Sequence, residues 1–461
     1  MKKKIIVLIF TISSVVFSQY SFTKHELSNS LFSAQNIISS DIDSDGDLDI
    51  LSAGEALIWW ENNNSLTNFE EHVITDSSGE MITARTCDIN NDSFVDIIVS
   101  KNELQEISVW INDGNQNFSE QVVQTDFPGA HDALAEDMNN DGLEDIIASR
   151  GDPDGNGEII YLIQNSDGGF DKQTIYEGDF CHSIDVADLN GDSKPDITST
   201  HINEGIRVFI QGTDNTFDEQ LFTVPQPHFV RTCDIDDDGD IDILCAALAF
   251  GVCLLENQTD GNFVRSFPIS NYALFLYPAD INGDGRKDIL LSDLNSKSFR
   301  IFERQEDGSF SKKTLPGLYR GVSGVCVSDI DGDSDPDLLT TCWKSTRKIE
   351  VWENLYIVND NEINVLPDEF SLNQNYPNPF NPSTTITYNI PVDDALSSFN
   401  VPVTLKIYDI LGNEITTLQN GPQSPGHYEH VWNAEDISSG IYMYVLKAGR
   451  YIKSNKMILL K

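Results

Sequence analysis

Side-chain oxygen donors recur along this 461-residue chain at one spacing, positions 1, 3, 5 and 9 of an acidic nonapeptide that occurs seven times. The first copy offers Asp41, Asp43, Asp45 and Asp49, and the second Asp88, Asn90, Asp92 and Asp96. The third has Asp137, Asn139, Asp141 and Asp145, and the fourth Asp188, Asn190, Asp192 and Asp196. Asp234, Asp236, Asp238 and Asp242 form the fifth, and Asp280, Asn282, Asp284 and Asp288 the sixth. The seventh has Asp329, Asp331, Asp333 and Asp337. A tightly curled loop with this spacing converges several oxygens on one hard cation, and Ca²⁺ suits such a donor set. An EF-hand needs a bidentate Glu at position 12. The residues there are Ser52, Val99, Ala148, Ser199, Cys245, Leu291 and Thr340, so that reading is excluded. Position 6 is Gly in four copies and Ser93, Ser193 or Ser334 in three. Weaker sites are expected at the Ser copies, because a positive φ costs a side-chain-bearing residue more than glycine.

A second set of chemistry-bearing residues keeps register with the first. Six residues before each loop stand Gln35, Ile82, His131, His182, His228, Leu274 and Ser323. Five residues after position 9, adjacent copies carry Lys101, Arg150 and His201. The six titratable residues of these two sets are expected to converge as a ligand-binding sector at the end of the repeats opposite the acidic loops. Histidines filling a polar channel without a ligand are the alternative.

The copies begin 46 to 51 residues apart, so each marks one unit of a repeat array. Apolar runs flank every loop, a third run follows, and a fourth opens at Phe69, Phe118, Phe170, Phe217, Phe263 or Phe310. Four short strands in about 47 residues make one β-propeller blade. The seventh unit lacks a fourth run, while Ser21-Phe22 opens a segment of that pattern before the first loop. The expectation is an all-β, seven-bladed β-propeller over residues 19–356, closed by its N-terminal strand so that no sheet edge is left at the junction.

Charge excludes some partners. The formal net charge is −45, and residues 366–461 carry only 9 acids against 6 bases, so the excess lies with the loops. Nucleic acid is not an expected partner of such a surface. Residues 1–18 read as a secretory signal, with Lys2, Lys3 and Lys4 before an apolar run and Val16 and Ser18 at the small-residue cleavage positions. The run is too short to span a bilayer comfortably. Seven Cys occur without a CxxC pair, mostly in apolar runs, which suits buried free thiols rather than zinc; Cys245 and Cys253 flank a hairpin and are the candidate pair.

The loops resemble those of the FG-GAP or VCBS repeat family of calcium-binding propellers, similar in blade plan to the integrin α-subunit head. The resemblance covers about residues 20–355. It implies that each loop joins the first two strands of a blade and that positions 1, 3, 5 and 9 hold structural Ca²⁺, up to seven ions in all. After a linker at 357–370, residues 371–461 read as a small Ig-like β-sandwich. Tyr376 to Pro382, the Ser439-Gly440-Ile441-Tyr442 segment and the basic end Lys456 to Lys461 resemble the C-terminal sorting domain of type IX secretion. That resemblance implies export by the type IX machinery to the cell surface or medium.

No nucleophile elbow, HExxH or Gly-rich phosphate loop is present, and the repeats account for the paired carboxylates. The favoured function is a secreted or surface-held, monomeric binding or adhesion module for an extracellular glycan or protein. A lyase-like polysaccharide enzyme and a purely architectural surface protein are the alternatives, since the fold alone does not decide.

Overall fold

The structure is a computed structural model. It describes residues 12–16, 21–28, 34–63, 66, 68–76, 79–152, 154–213, 215–248, 250–259, 261–270, 272–292, 299–314, 322–342, 348–354, 370–390, 401–423, 426–435, 437–449 and 451–461. Most of the expected signal and of the linker lies outside these residues. The described residues are all β, without a helix.

Six four-stranded antiparallel sheets follow one another along the chain. The first contains Asn36–Ser40, Asp49–Ala53, Leu57–Asn62 and Phe69–Thr75. The next five begin with the first strands Met81–Cys87, Ala130–Glu136, Cys181–Ala187, Pro227–Cys233 and Phe275–Ala279. Every fourth strand in these six sheets starts at the Phe that marked it in the sequence. The seventh sheet runs Val322–Ser328, Asp337–Cys342, Ile349–Asn354, Ser21–Ser28 and Ile12–Val16. Ser21–Ser28 thus lies beside Ile349–Asn354, the neighbour expected from the missing fourth run. Leu27 packs with Ile349 and Val351, His25 bonds Glu353 at 2.8 Å, and Lys24 bonds Glu350 at 3.2 Å.

The hydrophobic cores sit between consecutive sheets rather than within them. Each strand pair alternates its side chains between two faces, and both faces are covered by neighbouring sheets, so second strands such as Asp96–Lys101 and Asp242–Ala247 are buried throughout. Position 2 of each loop is an apolar plug into the following sheet. Ile42 packs with Met81, Ile97 and Trp110, Leu189 with Val230 and Ile243, and Ile330 with Ile37 and Ile50.

A side-chain amide at the end of the third strand ties the same seam. Asn112 Nδ2 donates to the Ile42 carbonyl at 3.2 Å, Gln164 Nε2 to Ile89 at 2.7 Å, and Gln211 Nε2 to Met138 at 2.9 Å. Asn257 Nδ2 reaches Leu189 at 2.8 Å and Asn354 Nδ2 reaches Ile281 at 3.2 Å. Asn62 Nδ2 reaches Ile330 at 2.8 Å and so ties the first sheet to the last.

The second unit spans Leu355–Lys461 in its main part. A three-stranded sheet of Ser371–Leu372, Ser383–Ile390 and Gly426–Asn433 and a four-stranded one of Glu414–Gln423, Val401–Asp409, Gly440–Ala448 and Tyr451–Leu459 enclose one core of Ile386, Tyr388, Leu405, Trp432, Tyr444 and Met457. Strict burial alternation along Ser383–Ile390 shows why the strand forms, with one face in that core and one outside. Phe380 exchanges backbone hydrogen bonds with Ile458 and Leu460, and Asn378 Oδ1 accepts from Ile458 N at 2.9 Å. The Pro-rich segment and the basic end, 80 residues apart at that bond, are thereby held together.

Candidate functional site

Every acidic loop lies between the first and second strands of its sheet, and six of the seven are curled by the same two position-1 contacts. In the first loop, Asp41 Oδ1 accepts from Asp45 N at 3.1 Å and Oδ2 from Gly46 N at 3.2 Å. Asp43 Oδ1 also accepts from Asp45 N, and Asp45 Oδ1 accepts from Asp47 N. Asp88, Asp137, Asp188, Asp234 and Asp280 repeat the position-1 contacts in their own loops. Ser93, Ser193 and Ser334 adopt φ of 70°, 66° and 77°, in the left-handed region that Gly46, Gly142, Gly239 and Gly285 also occupy. The Ser loops therefore close like the Gly loops, at a strain cost of about 1–2 kcal/mol each. Position 4 is left-handed too, at Ser44, Asn91, Asn140, Gly191, Asp237, Gly283 and Gly332. Small or Asx residues at all seven places were its sequence signal.

Position 9 departs from the other three. Asp49, Asp96, Asp145, Asp196, Asp242, Asp288 and Asp337 open the second strands and are fully or almost fully buried. One oxygen of each accepts the N–H at the end of the third strand, from Asn62 to Asp49 at 2.8 Å and from Gln211 to Asp196 at 2.7 Å, for example. In most copies the other oxygen accepts the N–H of position 2, as Leu189 gives to Asp196 at 2.9 Å. In the third copy Tyr161 Oη donates to Asp145 at 2.7 Å. Position 9 is therefore an internal strut whose carboxylate faces the loop's other acids. Burial, and then the like charges of the loop, raise these groups against the lowering pull of the backbone N–H donors. Asp337 is pushed up to about 8, Asp49 and Asp288 to about 7, and Asp96, Asp196 and Asp242 to about 6. Such burial of anions calls for a compensating cation or a proton.

The loops are not equivalent. Three acid oxygens, one per residue, lie within 4.8 Å of one another in Asp41–Asp43–Asp45, in Asp234–Asp236–Asp242 and in Asp329–Asp331–Asp333. Buried Asp236 Oδ1 and Asp329 Oδ1 have no hydrogen-bond partner, so these residues fit a cation. These are the copies with Asp, not Asn, at position 3. In the second, fourth and sixth copies the position-5 acid already has a side-chain partner. Asn90 Nδ2 donates to Asp92 at 2.9 Å, Lys194 lies 3.5 Å from Asp192, and Arg286 pairs with Asp284.

All seven first strands line a cavity of about 260 Å³. His131, His182 and His228 come together there. The first two rings are 4.4 Å apart and the second and third 4.0 Å, between centroids. The sequence alone could not show why these side chains point inward. Bulges break the pairing between Ala130 and Asp132, Cys181 and Ile184, and Pro227 and Phe229, and each histidine is the extra residue or one of two. A bulge re-aims a side chain out of the sheet's alternation. The Nδ1 atoms of all three are buried without a hydrogen bond. Burial holds all three rings below their ordinary value, His228 at about 3, and neighbouring rings push His182 and His228 further down. They are neutral at pH 7.

The expected convergence of the second set does not occur. Lys101 is buried against Glu106 and Glu120 and lies over Trp110; Arg150 pairs with Glu158 at 2.9 Å and lies over Phe127. His201 bonds Ser199 Oγ at 2.8 Å and packs on Tyr176. Lys101 and Arg150 face partners on their own sheets and His201 also faces the fourth strand of the preceding sheet, because the strand's alternation turns these side chains away from the cavity. Two cationic groups on first strands, of which Arg231 lines the cavity with the histidines, went unnoticed in the sequence. Arg85 bonds Asp132 at 3.0 Å, the Ile184 carbonyl at 3.0 Å and Asp185 at 3.5 Å; Arg231 lies over the Phe229 ring at 4.3 Å. Their signal was a shared place three residues before a loop.

A family model described as an FG-GAP-like repeat matches residues 41–99, 88–148, 137–199, 234–291 and 280–340, spans that hold all seven loops and more than half of the chain. A secretion system C-terminal sorting domain matches residues 374–460 and indicates export, through type IX machinery, to the cell surface or medium. No curated protein matches the chain.

Proposed function

The chain belongs to the FG-GAP-like repeat family, and from that premise we propose that it is an exported, calcium-stabilised propeller that binds an extracellular glycan or protein at the mouth of its channel. The observation that carries the calcium reading is the convergence of three acid oxygens in each of three loops, with a buried oxygen left without a partner in two of them, at Asp236 and Asp329. Bound there, Ca²⁺ would supply positive charge and oxygen coordination to a loop already curled for it. The loop's own residues supply the mechanical link. Position 9 clamps the second strand to the third, and position 2 plugs the seam to the next sheet, so stiffening a loop stiffens two sheets. The seven sheets are read as one closed ring of blades, which the Asn62-to-Ile330 bond supports. Removal of the leader would take away the edge strand Ile12–Val16 and leave four strands in the last blade.

The first loop, the fifth and the seventh are the strongest candidates, and the fourth and sixth the weakest, because a Lys or Arg of the loop already neutralises their position-5 acid. The test is a thermal melt with calcium and with chelator. Each loop filled at tenfold excess over its dissociation constant adds about 1.4 kcal/mol, and equal midpoints would remove the structural role. For the binding function, the triple substitution of His131, His182 and His228 by Ala is expected to abolish ligand capture on a glycan and protein array at unchanged calcium content. Unchanged capture would overturn it.

A further inference from the structure

The cavity's polar groups are unevenly matched. Its carboxylates are fully engaged. Asp132 accepts from Arg85, from Ser183 Oγ at 3.3 Å and from the N–H groups of Ala133 and Ile184; Asp185 accepts from Arg85 and twice from Thr232. Its donors are not. Arg231 makes one hydrogen bond, from Nη1 to the Val230 carbonyl at 3.2 Å, and no ion pair among the described residues. A guanidinium has five N–H donors, so four are left to the cavity. Each neutral imidazole of His131, His182 and His228 adds one N–H donor and one acceptor nitrogen, and the Nδ1 atom of each is buried without a hydrogen bond. With four guanidinium donors added to the imidazoles, donors outnumber free acceptors, which favours a ligand with acceptor oxygens, and an inward guanidinium favours one with negative charge. It does so in a chain whose net charge of −45 makes such a spot exceptional.

The remaining walls say what the rest of that ligand is. Ile37, Ile38, Ile82, Leu274, Phe275 and Val325 give the lining apolar walls, beside the polar Gln35, Asn36, Thr83 and Tyr277. Apolar walls favour an organic body over a hydrated inorganic oxyanion. At about 30 Å³ per water, the 260 Å³ hold roughly eight or nine waters, enough for one ring-sized molecule.

We propose that the cavity binds a small organic carboxylate, its oxygens taken by the Arg231 fork with His228 and His182 beside it and its body set against Ile82, Leu274 and Val325. The planar fork matches a carboxylate in two parallel bonds, and stacking on Phe229 holds that plane. This deepens the binding function argued above and rests on it for the place of the site, so the two are tested separately.

The experiment titrates the full chain, in calcium, with benzoate, with its neutral isostere benzamide and with inorganic phosphate, following the imidazole resonances by NMR. Benzoate is expected to bind in roughly the millimolar range, to shift the signals of His182 and His228, and to lose at least about tenfold in affinity in R231Q. Benzamide and phosphate are expected to bind at least tenfold more weakly. Equal affinity for benzoate and benzamide, phosphate binding as tight as benzoate, unchanged affinity in R231Q, or no binding at all would each overturn the proposal. Should R231Q fail to fold by circular dichroism, H228Q replaces it, with a loss of about threefold or more expected and no loss counting against. A melt on the same sample separates the two claims, since calcium stabilisation without benzoate binding sinks this one alone.

Discussion

The two ends of the repeats obey different rules. At the acidic end, seven loops share one curl, and they differ in detail, such as Asp or Asn at position 3 and the single position-1 contact of Asp329. At the cavity the same structural places hold Gln35, Ile82, His131, His182, His228 and Leu274, which have no common chemistry. The acidic end is what each sheet needs in order to join its neighbour, so it repeats. The cavity is lined once, by one first strand from each sheet, so it can vary from sheet to sheet without harming a seam. In a repeat protein, departures from the repeat are therefore where a ligand site is to be sought.

That contrast can be broken by substitution. The largest effect is expected for Asp196→Ala. It strands the N–H groups of Leu189 and Gln211 in a buried seam, at a cost of roughly 2–5 kcal/mol in denaturant-measured stability. A loss under about 1 kcal/mol would show that position 9 is not a strut. Asn112→Ala removes the amide strap to Ile42 and should cost about 1–2 kcal/mol by the same measurement.

A pH series sharpens the contrast, because the two ends titrate with opposite sign. A carboxyl held above its ordinary value contributes stability that is present at low pH and lost as pH rises through its folded value. A histidine held below its ordinary value contributes stability that is present above about 6.5 and lost as pH falls through its folded value. In chelator, stability should therefore rise as pH falls from 8.5 to 6.5, where Asp337, at about 8, and Asp49 and Asp288, at about 7, take up protons. The slope is at most about 1.4 kcal/mol per pH unit for each group. Below 6.5 the neutral rings of His131, His182 and His228 pull the other way. Calcium should flatten the alkaline arm and leave the acid arm in place; an unchanged alkaline arm would separate these acids from the ion. The smallest effect is expected for Lys287→Ala, which removes an exposed 2.7 Å pair to Asp237 in the preceding loop and should change stability by no more than about 0.5 kcal/mol.

Much of this was legible in the chain because it is local or periodic. Loop spacing, the Phe that opens each fourth strand and the unpaired segment at Ser21-Phe22 all lie within one repeat length, and local hydrogen bonding makes them act alike in every copy. The three histidines were legible as a set for the same reason. Their grouping with Lys101, Arg150 and His201 was not, since strand alternation and the placement of a bulge decide which face a side chain takes, and neither is written in spacing alone. Left to tertiary structure were the partners of each charge. Nothing near Lys101 in sequence announces that Glu120 neutralises it, and nothing near Arg231 announces that its donors are left free. A charge's environment is set by whatever the neighbouring sheets bring within a few ångströms, and the first strands that line one cavity are far apart in the chain.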